Sequence, residues 1–134
     1  MKFNVMFVDD AISVLESLQW IFKNEPYSVF FSDNPLDALQ VTNTLEWAVV
    51  VADQSMHKMN GLEFLKRFQA QSPRTMGIIM TGYNEIKETL DTLYSGCIYR
   101  FVKKPLDDIE IKKAVKAAIT DYETNTGIKR RAIV

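Results

Sequence analysis

Cysteine is almost missing from this chain, with one, Cys97, in 134 residues. A lone thiol cannot close an internal disulfide, and nothing around it has the spacing of a zinc site. Next to Gly96 and before an apolar run, it reads as a small buried filler. An excess of charge of one sign is missing too: 16 Lys and Arg against 17 Asp and Glu leave a net −1. No bulk field therefore draws the chain to nucleic acid or to a membrane surface. The short run Lys129-Arg130-Arg131 reads as a solvated stretch rather than a nucleic-acid contact. Long hydrophobic runs are also absent. The apolar start, Met1–Val8, breaks off at Asp9-Asp10, too short for a signal-peptide core with a cleavage site, and no run approaches a membrane span. The expected location is cytoplasmic. Internal repeats and low-complexity segments are lacking.

What is present is an ordinary globular composition, 47% hydrophobic and 25% charged, at a length that suits one domain. Five short apolar runs recur: Phe3–Val8, Tyr27–Phe31, Trp47–Ala52, Met76–Met80 and Ile98–Val102. Runs this short, rich in β-branched or aromatic residues, predict strands buried on both faces. Between them lie five helical patterns. Leu15, Leu18 and Phe22 mark one face of the first. Asp33-Asn34-Pro35 supplies a cap and a first-turn proline for a second, predicted to run to about Leu45. Gly61 precedes Leu62, Phe64, Leu65 and Phe68; Asn84 opens Ile86 to Tyr94; Leu106 leads into Ile109, Ile111, Val115, Ala118 and Ile119. Strand and helix repeated five times predict an α/β, doubly wound parallel sheet covered on both faces. Trp20 and Trp47 read as packing residues. From Glu123 the pattern fades, so the expectation is one domain over 1–122 and a tail or linker stub over 123–134.

Ligands of open parallel sheets collect outside the carboxyl ends of the strands. Asp9 and Asp10 close the first predicted strand, Asp53 the third and Thr81 the fourth, and Lys104-Pro105 follow the fifth. Two adjacent aspartates are ordinarily a turn and a cap, and a Thr-Gly or Lys-Pro pair alone means little. Here each falls at a strand end of one deduced sheet. Three close carboxylates repel unless a cation joins them or a proton does. Hard oxygens suit Mg²⁺, which completes its shell with phosphate and water. A carboxylate can also attack phosphorus to give an acyl phosphate, with a lysine and a hydroxyl to receive the transferred group.

These residues resemble the receiver domain of two-component response regulators. The resemblance covers Lys2 to Tyr122 and rests on Val8-Asp9-Asp10, Val51-Ala52-Asp53-Gln54-Ser55-Met56, Gly61, Met80-Thr81-Gly82 and Phe101-Val102-Lys103-Lys104-Pro105. It implies a (βα)5, flavodoxin-like fold with strand order 2-1-3-4-5. It also implies that Asp53 is phosphorylated, that Mg²⁺ is bound by Asp10 directly, by Asp9 through water, by Asp53 and by the main-chain carbonyl of Ser55. Thr81 and Lys104 would hold the phosphoryl group, Phe101 would be the aromatic switch, Lys103 would point elsewhere, and Gly82 and a cis-linked Pro105 would support the site. The implied donor is a histidine kinase or phosphotransfer protein. The implied output face is that of the fourth helix, fifth strand and fifth helix, including Tyr83, Tyr94, Tyr99 and Arg100, read by a homodimer partner or a fused output domain in a longer chain.

The chain departs from this family at His57, where proline is usual, and at Asn60, where aspartate is frequent. His57 reads as a solvated loop residue, with tuning of Mg²⁺ affinity or phosphoryl lifetime as the other reading. Ser55 and Tyr83 stand where the family tunes acyl-phosphate hydrolysis, and a bulky Tyr83 would slow it. Ala52-Asp53-Gln54, Thr81-Gly82-Tyr83-Asn84 and Gly96-Cys97-Ile98-Tyr99-Arg100-Phe101 are similar to receivers coupled to cyclic-di-GMP phosphodiesterases or hybrid sensor kinases, more than to DNA-binding regulators, although Leu106 departs from the tryptophan that often follows the proline there. Two other functions fit parts of the pattern. An aspartyl-nucleophile phosphatase would pair its aspartates as Asp-x-Asp after the first strand, whereas Asp9 and Asp10 are adjacent. A phosphorylation-independent interaction module would not need all five chemical positions.

Overall fold

The computed structural model describes residues 3–82 and 98–131, with side chains to 125. Strands β1 (Asn4–Val8), β2 (Ser28–Ser32), β3 (Val49–Asp53), β4 (Met76–Thr81) and β5 (Arg100–Lys103) form one sheet in the order β2-β1-β3-β4-β5. Every neighbouring pair is parallel, with Val8 opposite Ala52 and Asp53 opposite Met80. Helices α1 (Ile12–Ile21), α2 (Pro35–Gln40), α3 (Gly61–Gln71) and the last helix, α4 (Asp108–Arg131), cover the faces. The helix expected from Asn84 to Tyr94 lies outside the described residues.

Period-two alternation along the strands divides the core into two layers. Val5, Phe7, Val49, Val51, Ile78 and Met80 pack with Leu15 and Leu18 of α1 and with Ile111, Val115 and Ala118 of α4. Met6, Val8, Val50, Ala52 and Ile79 face the other way, onto Ala38 of α2 and Phe64, Leu65 and Phe68 of α3. Side chains such as Phe64 and Phe68, at 0% exposure, contribute about 1.5–3 kcal/mol each by leaving water. Only β1, β3 and β4 are buried on both faces. β2 and β5 are the sheet edges and stay half-exposed, since each has one neighbour.

Local details depart from the periodicity in three places. α2 stops at Gln40 rather than near Leu45. The Thr42 and Thr44 hydroxyls donate to the carbonyls of Leu39 and Val41, at 3.2 and 2.7 Å, and the Trp47 indole also donates to Val41. These side chains bond the carbonyls that a further helical turn would use. Ile109 is 65% exposed, because α4 starts only at Asp108, behind an Asp107 side chain that accepts from the amides of Ile109 and Glu110. That start turns Ile111, Ala114, Val115 and Ala118 inward and Ile109 outward. Trp47 packs between Phe30 and Phe68 as expected, but Trp20 is 69% exposed. It sits on the outer side of α1 with the Lys23 ammonium 3.4 Å from its ring centroid, a contact that compensates part of its exposure. At its far end α4 continues through Arg131.

Candidate functional site

After β1 the chain crosses to β2 on one side, then returns to β3 on the other, so a crevice opens above the β1 and β3 tips. Strand order reverses there, and ligands of such sheets bind at that point. Val8 pairs with Ala52, which places Asp9 and Asp53 side by side just beyond. Oxygens of Asp9, Asp10 and Asp53 all lie within 4.8 Å of one another. Asp9 and Asp53 are 0% and 4% exposed; Asp10 is half-buried.

Burial of two carboxylates side by side requires compensation. Lys104 supplies it from the far edge of the sheet: its Nζ is 2.9 Å from Asp53 Oδ1 and 3.1 Å from Asp9 Oδ2. Burial works against the lysine charge as the largest single effect. The hydrogen bond and charge of Asp53, then those of Asp9, together outweigh it and hold the ammonium above the ordinary lysine range. The other oxygen of Asp9, Oδ1, accepts the Ala11 amide at 2.9 Å, so this carboxylate also shapes the turn into α1. Asp10 accepts the backbone amide of His57 at Oδ2, 2.8 Å away.

The β3–α3 loop over residues 54–60 closes one side. Gln54 extends the ladder to the Met80 carbonyl, its own carbonyl receives the Gly61 amide at 3.1 Å, and its side chain receives the Leu62 amide. Asn60 caps α3 by accepting the Glu63 amide at 2.8 Å. Asparagine and aspartate cap almost equally well, which accounts for Asn60 at this place. Gly61 is required by space. A Cβ there would stand 2.6 Å from the Asp53 carbonyl oxygen and 2.8 Å from Ile79 Cδ1. Ile79 can turn, but the Asp53 backbone cannot yield without moving the carboxylate. Gly61→Ala is expected to cost about 1–3 kcal/mol and to shift the amide resonance of Asp53, readable by denaturant unfolding and by NMR. Gly82→Ala is the control: among the described residues a Cβ there meets nothing within 4 Å.

Of the remaining sequence-predicted site residues, Thr81 is 1% exposed at the β4 tip, and its hydroxyl donates to the Gly82 carbonyl at 3.2 Å. Phe101 is half-buried against the layer containing Met6, Trp47 and Phe64. Lys103, paired in register with Thr81, is exposed, as is Ser55 in the loop. The Lys104–Pro105 peptide bond is cis. The His57 ring is exposed. Tyr83, Tyr94 and Cys97 lie outside the described residues. The backbone donor of His57 and the caps Asn60 and Asp107 were missed by sequence reasoning. An Asx residue one place before a helix start could have flagged the caps; no side-chain pattern flags a backbone amide.

The response regulator receiver domain family model matches residues 5–116. Sporulation initiation phosphotransferase F of Bacillus subtilis is 32% identical over 87% of this chain and 93% of its own. The transcriptional regulatory protein FixJ of Bradyrhizobium diazoefficiens is 26% identical over 91% of this chain, which spans 59% of FixJ. Among solved structures, the signal receiver domain of an HD domain-containing protein from Pseudomonas fluorescens Pf-5 superposes with a TM-score of 0.86 at 28% identity, covering 94% of this chain and 93% of that one. Among the described residues no helix is long and apolar enough to cross a membrane. With its sheet order, its crevice of three aspartates and a lysine, and this match over most of its length, the chain belongs to the response regulator receiver domain family of two-component signal transduction.

Proposed function

We propose that Asp53 is the phosphoryl acceptor, that a histidine kinase or phosphotransfer protein is the donor, and that Mg²⁺ is the cofactor. The observation that carries this reading is the convergence of three carboxylates on one crevice with a single lysine between two of them. The oxygen-only donor set fits a hard divalent cation. Both Asp9 oxygens already accept a donor, which suits contact through water. Among the described residues Asp10 keeps Oδ1 for direct contact, and the Ser55 main-chain carbonyl would supply a further oxygen. A bound Mg²⁺ would neutralise charge on the incoming phosphoryl group and on the carboxylates around it.

The chain's own groups do the rest. A carboxylate oxygen of Asp53 forms the O–P bond as the N–P bond of a phosphohistidine breaks, and the freed imidazole keeps the electron pair. Lys104, already beside Asp53, pairs with the transferred group. Thr81 exchanges its bond to the Gly82 carbonyl for a charge-assisted one to a phosphoryl oxygen, and Phe101 follows into the space the hydroxyl leaves. The change is read at the face of β5 and α4, by a second copy of the chain or by an attached output domain beyond residue 122. The likeness to a receiver of an HD domain-containing protein favours an attached output domain, with residues 123–134 as linker.

The chain catalyses only its own phosphoryl transfer and loss. Incubation with acetyl phosphate and Mg²⁺ is expected to add one phosphoryl group per chain, without turnover of a generic phosphomonoester. Sustained release of phosphate from that phosphomonoester, with no labelled chain, would overturn the receiver reading in favour of a phosphatase.

A further inference from the structure

His57 reaches the aspartate cluster through its backbone. Its imidazole is exposed, while its N–H donates to Asp10 Oδ2 at 2.8 Å, across 47 positions of sequence. The loop that carries it is pinned at both ends, by the Gln54 amide on the Met80 carbonyl at 2.9 Å and the Gly61 amide on the Gln54 carbonyl at 3.1 Å. Met56, next to His57, is buried in the α2–α3 layer. Between those anchors, the His57 amide crosses to the β1–α1 turn. A proline at this place has no N–H and could not make the bond.

We infer that the backbone amide of His57 is a positioning group for the cation site, holding Asp10 by one oxygen so that the other is ready for the ion. The inference rests on reading the three aspartates as that site. Lys104 restrains Asp9 and Asp53, but no salt bridge restrains Asp10 among the described residues, so the amide takes over the task. Donors that fix a ligand's orientation raise metal affinity, because less motion remains to be lost on binding. The residue type at 57 then matters only through whether it has an amide proton.

Calorimetric titration of the full chain with Mg²⁺ tests this. His57→Ala keeps the amide and is expected to bind within about twofold of the parent, as a surface change should. His57→Pro removes it and is expected to bind about threefold to tenfold more weakly, the effect of one side chain left to be ordered on binding. Equal affinity of the proline variant and the parent would overturn the inference while leaving the cation site standing. An alanine variant as weak as the proline one would assign the effect to the imidazole and overturn it too. Because proline can disturb the loop, amide exchange in the parent gives a second reading. The His57 amide should be protected without metal, stay protected at saturating Mg²⁺, and shift in Asp10→Asn. Free exchange, or protection lost when Mg²⁺ binds, would show no bond or a competing one and contradict the inference. A parent that binds no Mg²⁺ would remove the cation site and this inference together.

Discussion

Asp53→Asn is expected to abolish labelling: with acetyl phosphate and Mg²⁺ the parent gains the mass of one phosphoryl group and the variant gains none. The amide keeps the size and much of the hydrogen bonding of the carboxylate but has no anionic oxygen to attack phosphorus. The substitution should not unfold the protein. It forfeits the 2.9 Å pair with Lys104, yet it leaves Asp9 with the lysine to itself and lowers the crowding of three carboxylates within 4.8 Å. The net change in metal-free stability is expected to stay within about 1 kcal/mol, since relief of like-charge repulsion offsets the lost ion pair. A ligand that binds only the folded state stabilises it by mass action. Mg²⁺ should therefore raise the melting temperature of the parent clearly and that of Asp53→Asn much less. Intact mass and thermal unfolding with and without Mg²⁺ check both halves. A variant that still gains the phosphoryl mass would place the acceptor elsewhere.

Lys104→Met should show the second large effect, and unlike Asp53→Asn it should cost stability. Its ammonium bridges two carboxylates that are 0% and 4% exposed. Removing one partner of such an assembly leaves uncompensated buried charge, which costs about 3–5 kcal/mol in fully buried cases. The lysine side chain here is 26% exposed, so water screens part of the loss and the lower end, about 3 kcal/mol, is expected. Urea unfolding at neutral pH reads this directly. Added Mg²⁺ should recover part of the deficit, because the ion offers the same two carboxylates another positive partner. Labelling should fall about 100-fold, the usual effect of losing one charged donor to a developing oxyanion. If Lys104→Met were as stable as the parent and labelled at the same rate, Lys104 would be a bystander.

The five strands could be read from sequence because apolar runs of about five residues alternate with helical spacing, and the two core layers follow directly from odd and even positions such as Phe7 and Met6. Asp9, Asp10 and Asp53 could be placed together once the sheet was deduced, since a strand tip is a definite address. The pairing of β1 with β3 was another matter. Nothing in Phe7 or Val51 states that they are neighbours; the crossover order came from resemblance and not from pattern. Helix ends were misplaced where side chains compete for backbone groups, as Thr42 and Thr44 do at the end of α2, and where a cap shifts the phase, as Asp107 does before Ile109. The choice between Lys103 and Lys104 rested on resemblance as well, and the structure separates them by burial. The His57 amide could not have been found at all by residue type, because the donor belongs to every residue but proline.

A crystal structure of the full chain grown with Mg²⁺ and beryllofluoride tests the central claim most directly. The expected result is a beryllofluoride group on an Asp53 oxygen, within hydrogen-bonding reach of Lys104 and Thr81, and a cation touching Asp10 and Asp53. Density for the two ions on another face of the molecule, or an Asp53 carboxylate left bare at saturating concentrations, would contradict it.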